Sequence, residues 1–117
     1  MTLADTSVWI RHFRHGDPGL VELLMDGRVL IHPFVLGELA CGNLKGRGAV
    51  LSDLLTLAAA TVAGNGEILQ MIEARRLWGK GLGLIDIHLL ASALLTGCRL
   101  WTLDTRLAKA ARELGVD

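Results

Sequence analysis

Short apolar segments alternate with longer stretches of helical spacing along the whole of this 117-residue chain. Residues 2–5, 28–31, 61–63 and 99–103 have the length and apolar content of short strands. Between them, apolar residues recur every three or four positions, which is the period of a helix packed on a core. Buried strands that alternate with helices are typical of parallel sheets, so we expect an α/β fold whose sheet is covered on both faces.

Chain breakers and capping residues set the expected helix limits. Pro18 and Pro33 suit the first position of a helix, and Thr6 or Ser7 offers a hydroxyl cap for the first helix. The segment that starts at Ile85 is apolar almost all round and should be buried. The expected helices cover residues 8–13, 18–26, 33–42, 46–60, 66–80, 85–96 and 107–115.

Length and composition favour a single domain over residues 1–117, with 51% apolar residues to supply its core. The longest apolar run, residues 54–64, is too short to span a membrane. The N-terminus begins directly with a strand-like run rather than a signal peptide, and Cys41 and Cys98 have the setting of buried free thiols. We therefore expect a cytoplasmic protein that is not associated with a membrane.

Four acids lie at positions where chemistry is common in α/β folds. Asp5 and Asp104 directly follow strands, Asp86 follows a glycine-rich loop at a helix start, and Glu38 lies beside the apolar stripe of the third helix. A set of carboxylates without a His/Cys cluster suits Mg²⁺ or Mn²⁺ better than Zn²⁺. Each acid also has an ordinary explanation as a helix cap, a first-turn charge or a solvated side chain. Spacing alone therefore establishes an α/β domain with acids at strand ends.

The segments that carry these acids resemble the PIN-domain family. They are residues 3–9 (LADTSVW), 35–39 (VLGEL), 83–86 (GLID) and 100–107 (LWTLDTRL). Their order, spacing and flanking apolar residues agree over essentially the whole chain, and four motifs in order are far more specific than one. The compact form resembles the VapC toxins of prokaryotic toxin–antitoxin pairs.

The resemblance implies a three-layer α/β/α sandwich around a short, mostly parallel sheet. It further implies a homodimer that acts as an Mg²⁺- or Mn²⁺-dependent endonuclease on cellular RNA of the tRNA or rRNA class, and an antitoxin that silences it. Asp5, Glu38, Asp86 and Asp104 would bind the metal. Ser7 and Thr102 match polar positions that support the acids or a bound water. Ala108 stands where some relatives have a further acid, so the resemblance favours one tightly held ion and a weaker second one.

Basic residues near these segments are candidates for contact with the RNA backbone, although basic side chains on helix surfaces are common. The candidates are Arg11, Arg14, Lys45, Arg47, Arg75, Arg76, Lys80 and Arg106. His12 and His15 lie in the same basic stretch as Arg11 and Arg14 but are better explained by a solvated face. We expect His88 to lie at the surface or in a dimer contact, because on a helix it points away from Asp86.

Two other functions fit the residues less well. A catalytically silent PIN-like module would bind RNA or a partner without cutting, which the complete acid set disfavours. A receiver-like signalling domain would have paired acids after the first strand and a lysine after a late strand. Ala4 precedes Asp5 here, and the late strand is followed by Asp104, so the receiver pattern is not met.

Overall fold

A computed structural model describes residues 1–117 and contains one four-stranded sheet in which every pairing is parallel. The strand order is β3-β2-β1-β4, and Leu3 on the central strand faces Leu30 on one side and Leu100 on the other. The strands are β1 (Thr2–Ala4), β2 (Val29–Ile31), β3 (Ala58–Ala59) and β4 (Arg99–Trp101).

Seven helices connect and flank the strands. They are α1 (Thr6–His15), α2 (Pro18–Met25), α3 (Pro33–Cys41), α4 (Arg47–Leu54), α5 (Asn65–Arg75), α6 (Leu84–Thr96) and α7 (Thr105–Glu113). Pro18 and Pro33 are the first residues of α2 and α3, as expected. Asp17 caps α2 by accepting a hydrogen bond from the backbone N–H of Leu20. None of the helices has both the length and the apolar character needed to cross a membrane.

The order of the strands places helices on both faces of the sheet. From β1 the chain moves outward through β2 to β3, and it then returns to the other side of β1 to form β4. Because parallel crossovers are right-handed, this reversal puts α1–α4 on one face and α5 and α6 on the other. The contacts agree: α1 packs on α3 and α3 on α4, while α6 packs on α5, α7 and β4. The expected three-layer α/β/α architecture is confirmed.

The core lies on both faces of the central strands. Leu3 and Ala4 of β1 are fully buried, and Leu100 of β4 is nearly so. Helix α6 is buried without a break from Ile87 to Ala93, as its apolar composition predicts. A smaller apolar cluster around Ile68 of α5 packs on the outer side of α6. Burial of this kind fixes the sheet, and with it the positions of the residues that follow each strand.

The third strand does not lie where the sequence pattern puts it. The expected helix 46–60 ends at Leu54, and the strand is Ala58–Ala59 rather than 61–63. Ala58 pairs with Leu30, and Ala59 pairs with Ile31. Alanine favours helices in the absence of a neighbouring strand, so the sequence pattern extends the predicted helix past its observed end at Leu54. Pairing with the edge of β2 outweighs this local preference.

Helix α5 ends earlier than expected. The chain takes the left-handed conformation at Arg76, with φ 53°, so the helix stops at Arg75 rather than at Lys80. The backbone N–H of Leu77 donates to the carbonyl of Ile72 at 3.0 Å, and the Leu77 side chain turns back into the smaller cluster.

The cysteines also differ from expectation. Both are free and Cys98 is buried, but Cys41 is exposed because it is the last residue of α3.

Two histidines are buried together between α3 and α6. His32 is fully buried and caps α3 by accepting a hydrogen bond from the N–H of Phe34 at its Nδ1. His88 is also buried, which corrects the expected surface position, and its ring lies edge-on to Phe34 with 4.7 Å between the ring centroids. Burial, and secondarily the charge of His88, lower the pKa of His32 to about 4.

This shift predicts a loss of stability in acid. The ordinary pKa of a histidine is 6.5, so between pH 6.5 and about 4 the unfolded chain binds more protons at His32 than the folded chain does. Stability therefore falls as the pH falls through this window, by on the order of 2 kcal/mol from this residue. His32→Asn keeps a cap acceptor but cannot titrate.

We expect urea denaturation at a series of pH values to give a shallower acid limb for His32→Asn than for the wild type. The exposed His15, replaced in the same way, should leave the slope unchanged. An acid limb of equal steepness in the wild type and in His32→Asn would contradict the assignment.

Candidate active site

The residues that follow β1 and β4 meet at one edge of the sheet. Ala4 pairs with Trp101, so Asp5 and Thr102 leave adjacent parallel strands at the same level. The boundary between β1 and β4 is also where the strand order reverses, because the chain builds β2 and β3 on one side of β1 and β4 on the other. A crevice at the carboxyl ends of the strands beside such a reversal is the usual binding position in open α/β sheets.

Asp5 is buried at this edge, and both of its carboxylate oxygens are held. Oδ1 accepts hydrogen bonds from the hydroxyl of Ser7 at 2.5 Å and from the backbone N–H of Val8 at 3.3 Å. Oδ2 accepts from the hydroxyl of Thr102 at 2.5 Å. The contact with Val8 makes Asp5 the cap of α1 as well. The Asp5 side chain therefore caps α1 and also links β1 to the residue after β4, although these segments lie almost the full chain apart in sequence.

The same two hydroxyls connect Asp5 to the segment that carries Asp104. The Thr102 hydroxyl accepts from the backbone N–H of Asp104 at 3.0 Å, and the Ser7 hydroxyl accepts from that of Leu103 at 3.0 Å. Each hydroxyl thus donates to the buried carboxylate and accepts from the turn after β4. This pair of bridges sets the position of Asp104 relative to Asp5.

Asp104 itself is exposed and caps α7. Its Oδ1 accepts from the backbone N–H groups of Arg106 and Leu107 at 2.9 and 3.1 Å. Its hydrogen bonds to the chain are all made by Oδ1, which leaves Oδ2 open toward solvent. The cap holds the carboxylate in a fixed orientation at the carboxyl-end edge of the sheet.

Glu38 reaches the same end of the sheet from α3. Its Oε1 accepts a hydrogen bond from the hydroxyl of Thr6 at 2.7 Å, and Thr6 is the residue that follows Asp5. The side chain is exposed, and Oε2 makes no hydrogen bond to the chain. The sequence identified Thr6 only as a possible helix cap. In the sequence, the available sign of the contact between Thr6 and Glu38 was that Thr6 directly follows Asp5. The contact also requires α1 to pack on α3.

Asp86 occupies the first turn of α6 and makes no hydrogen bond to the other three acids. Its Oδ2 accepts from the backbone N–H of Gly83 at 2.9 Å, which caps the first turn of the helix. The loop before it approaches α7. Gly81 has φ +74°, and a Cβ atom there would lie 2.8 Å from Cδ of Arg106, two residues beyond Asp104. The start of α6 is therefore close to α7, and a shared ion between Asp86 and the other acids stays a prediction.

The arrangement suits an ion that keeps much of its water. No three His, Cys, Asp or Glu side chains converge closely enough to make a ready-made metal cage. Mg²⁺ commonly takes one or two carboxylates and several waters, so a cage is not required. The donors here are all carboxylate oxygens, and Glu38, Asp86 and Asp104 each have one oxygen without a partner in the chain. This donor set suits Mg²⁺ or Mn²⁺ better than Zn²⁺.

Two of the arginines proposed for RNA contact already have partners. Arg11 forms an ion pair with Asp17 at 2.5 Å. Burial raises the pKa of the Asp17 carboxyl, but the hydrogen bonds from Arg11 and the backbone and the charge of Arg11 outweigh it and leave that pKa below its ordinary value. Arg47 donates twice to the carbonyl of Ala40, at 3.1 and 3.0 Å. Both guanidinium groups contribute to the structure, which makes them weaker candidates for RNA.

The remaining candidates differ in their surroundings. Arg14 and Lys45 are exposed and make no hydrogen bond to the chain. Arg106 lies across Gly81, close to Asp104. Of the basic residues singled out from the sequence, Arg106 is the one that the structure places beside the acids.

The bridge through Thr102 can be tested by removing its hydroxyl. Thr102→Val leaves Oδ2 of the buried Asp5 carboxylate and the N–H of Asp104 without their partner. We expect a loss of roughly 1–3 kcal/mol in the free energy of unfolding, measured by urea denaturation at neutral pH. Thr102→Ser keeps the hydroxyl and should lose less than half as much. A Thr102→Val variant as stable as the wild type, with Thr102→Ser the less stable of the two, would show that packing of the methyl group, rather than the bridge, matters.

Comparison with known proteins gives three findings. The family model described as PIN domain matches residues 2–113. Proteins named Ribonuclease VapC32, from Mycobacterium tuberculosis strains CDC 1551 / Oshkosh and ATCC 25618 / H37Rv, are each 50% identical over 117 residues, which is 99% of this chain and 94% of theirs. The crystal structure of PAE2754 from Pyrobaculum aerophilum matches with a TM-score of 0.59 over 99% of this chain and 90% of that one. Its identity is 16%, so the likeness concerns the fold alone.

Proposed function

This chain belongs to the PIN-domain family, and on that premise we propose that it is a divalent-metal-dependent endoribonuclease, the toxin of a toxin–antitoxin pair. One observation carries the proposal. Hydroxyl bridges from Ser7 and Thr102 hold Asp5 and Asp104 together at the reversal point of the sheet, in a chain half identical to proteins named as ribonucleases. We further propose that residues 1–117 act as one domain in the cytoplasm.

Asp5, Asp104, Glu38 and Asp86 would hold the ion, Mg²⁺ or Mn²⁺. When bound, such an ion supplies positive charge beside the scissile phosphate and a water of lowered pKa. The chain's own contribution is orientation. Ser7 and Thr102 keep the Asp5 carboxylate from turning, and Thr6 fixes Glu38. The caps on α6 and α7 direct the open oxygens of Asp86 and Asp104 away from the backbone.

Position 108 bears on how many ions are held. Ala108 lies one turn after Asp104 on α7 and adds no carboxylate there. We propose one tightly held ion and a weaker second one that the RNA helps to complete. Without an ion, four carboxylates at this edge repel the phosphate backbone, so RNA and metal should bind cooperatively.

The substrate and partners follow from the same proposal. We propose cellular RNA of the tRNA or rRNA class as the substrate and a homodimer as the working form. A protein antitoxin would silence the site with an arginine, because the open carboxylate oxygens of Glu38 and Asp104 can each accept a hydrogen bond from a guanidinium group. These statements rest on the family resemblance and on the named relatives.

The activity test uses purified protein and a mixture of tRNA and rRNA. We expect cleavage with Mg²⁺ or Mn²⁺ and none in EDTA. Asp5→Asn and Asp104→Asn should each reduce the rate by on the order of 100-fold or more, since loss of groups that only support metal ligands costs 10–100-fold. Asp53→Asn on α4 removes an exposed carboxylate away from the crevice and should leave the rate unchanged. Cleavage that persists in EDTA or in the site variants would reject the proposal.

The catalytically silent module is the second candidate, and metal binding separates it from the nuclease. We expect titration calorimetry with Mn²⁺ to detect binding to the wild type and much weaker binding to Asp86→Asn, even though Asp86 makes no contact with the other acids in the free protein. A silent module would bind RNA with no measurable heat from Mn²⁺. If Asp86→Asn binds Mn²⁺ as the wild type does, Asp86 is only a cap of α6. Because the chain belongs to the PIN-domain family, the alternative of a receiver-like signalling domain is excluded.

A further inference from the structure

Three basic side chains surround a hollow on α7, the helix that Asp104 caps. Lys80, Arg106 and Lys109 line a space of about 260 Å³ together with Ala110 and Glu113. Four of these five residues belong to α7, the helix that Asp104 caps. The chain as a whole has no net charge, whereas the side chains around this hollow have more positive than negative charges.

The basic residues of this hollow follow Asp104 along α7. Arg106 is the second residue of α7, and Lys109 lies three residues further on, on the same side of the helix and about 4.5 Å along its axis. A strand of RNA with one phosphate at Asp104 meets Arg106 next and Lys109 after it. The cations therefore form a short row that begins next to Asp104.

Gly81 allows the row to form. Its φ of +74° favours glycine, and a Cβ there would lie 2.8 Å from Cδ and 2.9 Å from Nη1 of Arg106. The guanidinium group lies flat across the loop because no side chain is present at that position. The same close approach places Lys80, the preceding residue, at the edge of the hollow.

The positive charges are available to a ligand. Arg106 and Lys109 form no ion pair, and Lys80 pairs only with Glu113 at 3.7 Å. Both members of that pair are about half exposed, so the pair is weak and a phosphate can replace the glutamate. Arginine and lysine side chains held this way are the groups that bind phosphate oxygens in proteins.

We propose that this hollow, formed by Lys80, Arg106 and Lys109, is a subsite that binds the RNA backbone phosphates next to the scissile bond. The assignment rests on the proposed function for the position of that bond, but the binding it describes can be measured without cleavage. A row of cations along the groove gives affinity that does not depend on base sequence and falls steeply with salt.

The test measures the binding of a labelled single-stranded RNA oligonucleotide by fluorescence anisotropy, in EDTA and over roughly 50–200 mM salt. Lys109→Ala should lower the slope of log affinity against log salt by about 0.7, and Lys80→Ala/Lys109→Ala by about 1.4. Glu113→Gln removes the competing carboxylate and should tighten binding at every salt concentration. Alanine favours helices, so Lys109→Ala should fold normally.

Arg28→Ala is the control. Arg28 is exposed and lies directly before β2, at the opposite end of the sheet from the acids, so the change in charge is identical and the salt slope should stay as in the wild type. Equal effects of Arg28→Ala and Lys109→Ala, or no effect of the double variant, would overturn the subsite. Loss of cleavage in the acid variants concerns the proposed function alone, because none of these binding measurements requires an intact metal site.

Discussion

The structure at the candidate site depends on one interaction, the pair of hydroxyl bridges between the buried carboxylate of Asp5 and the turn after β4. Asp5 is only 7% exposed, and burying a carboxylate is unfavourable unless its oxygens accept hydrogen bonds. Ser7, Val8 and Thr102 satisfy them. Because the two hydroxyls also accept backbone N–H groups from the segment 103–104, the same bonds that stabilise Asp5 fix the entry into α7. Parallel pairing of β1 with β4 brings the partners together, and the bridges determine their orientation.

Much of this arrangement was predictable from local sequence. The prolines at 18 and 33, the apolar runs of β1, β2 and β4, and the continuous apolar character of α6 identified these elements, because in each case local preference and tertiary packing agree. The positions of Asp5 and Asp104 after strands also followed, since parallel strands end at a common edge. The resemblance to a family then selected Ser7 and Thr102, whose hydroxyls no periodicity distinguishes from ordinary surface groups.

The features that were missed depend on contacts between distant segments. The two alanines of β3 form a strand only because β2 presents an open edge, and nothing in their own sequence favours that. The end of α5 depends on Leu77 turning into a cluster formed with α6. His88 is buried because Phe34 and His32 pack against it from α3, which spacing along α6 does not reveal. The link between Thr6 and Glu38 likewise requires two helices to pack side by side.

Three of the four acids also begin helices: Asp5 caps α1, Asp104 caps α7, and Asp86 closes the first turn of α6. At each of these three helix starts, the partial positive charge of the helix end stabilises the carboxylate beside it. The same side chains thus stabilise the helices and form the proposed metal site, so an evolutionary change that removes an acid also weakens a helix. Asparagine is the exception among replacements, because it caps a helix about as well as aspartate while it removes the charge. Proteins of this fold that lose catalytic activity in evolution are therefore expected to acquire asparagine, rather than any other residue, at positions 5 and 104.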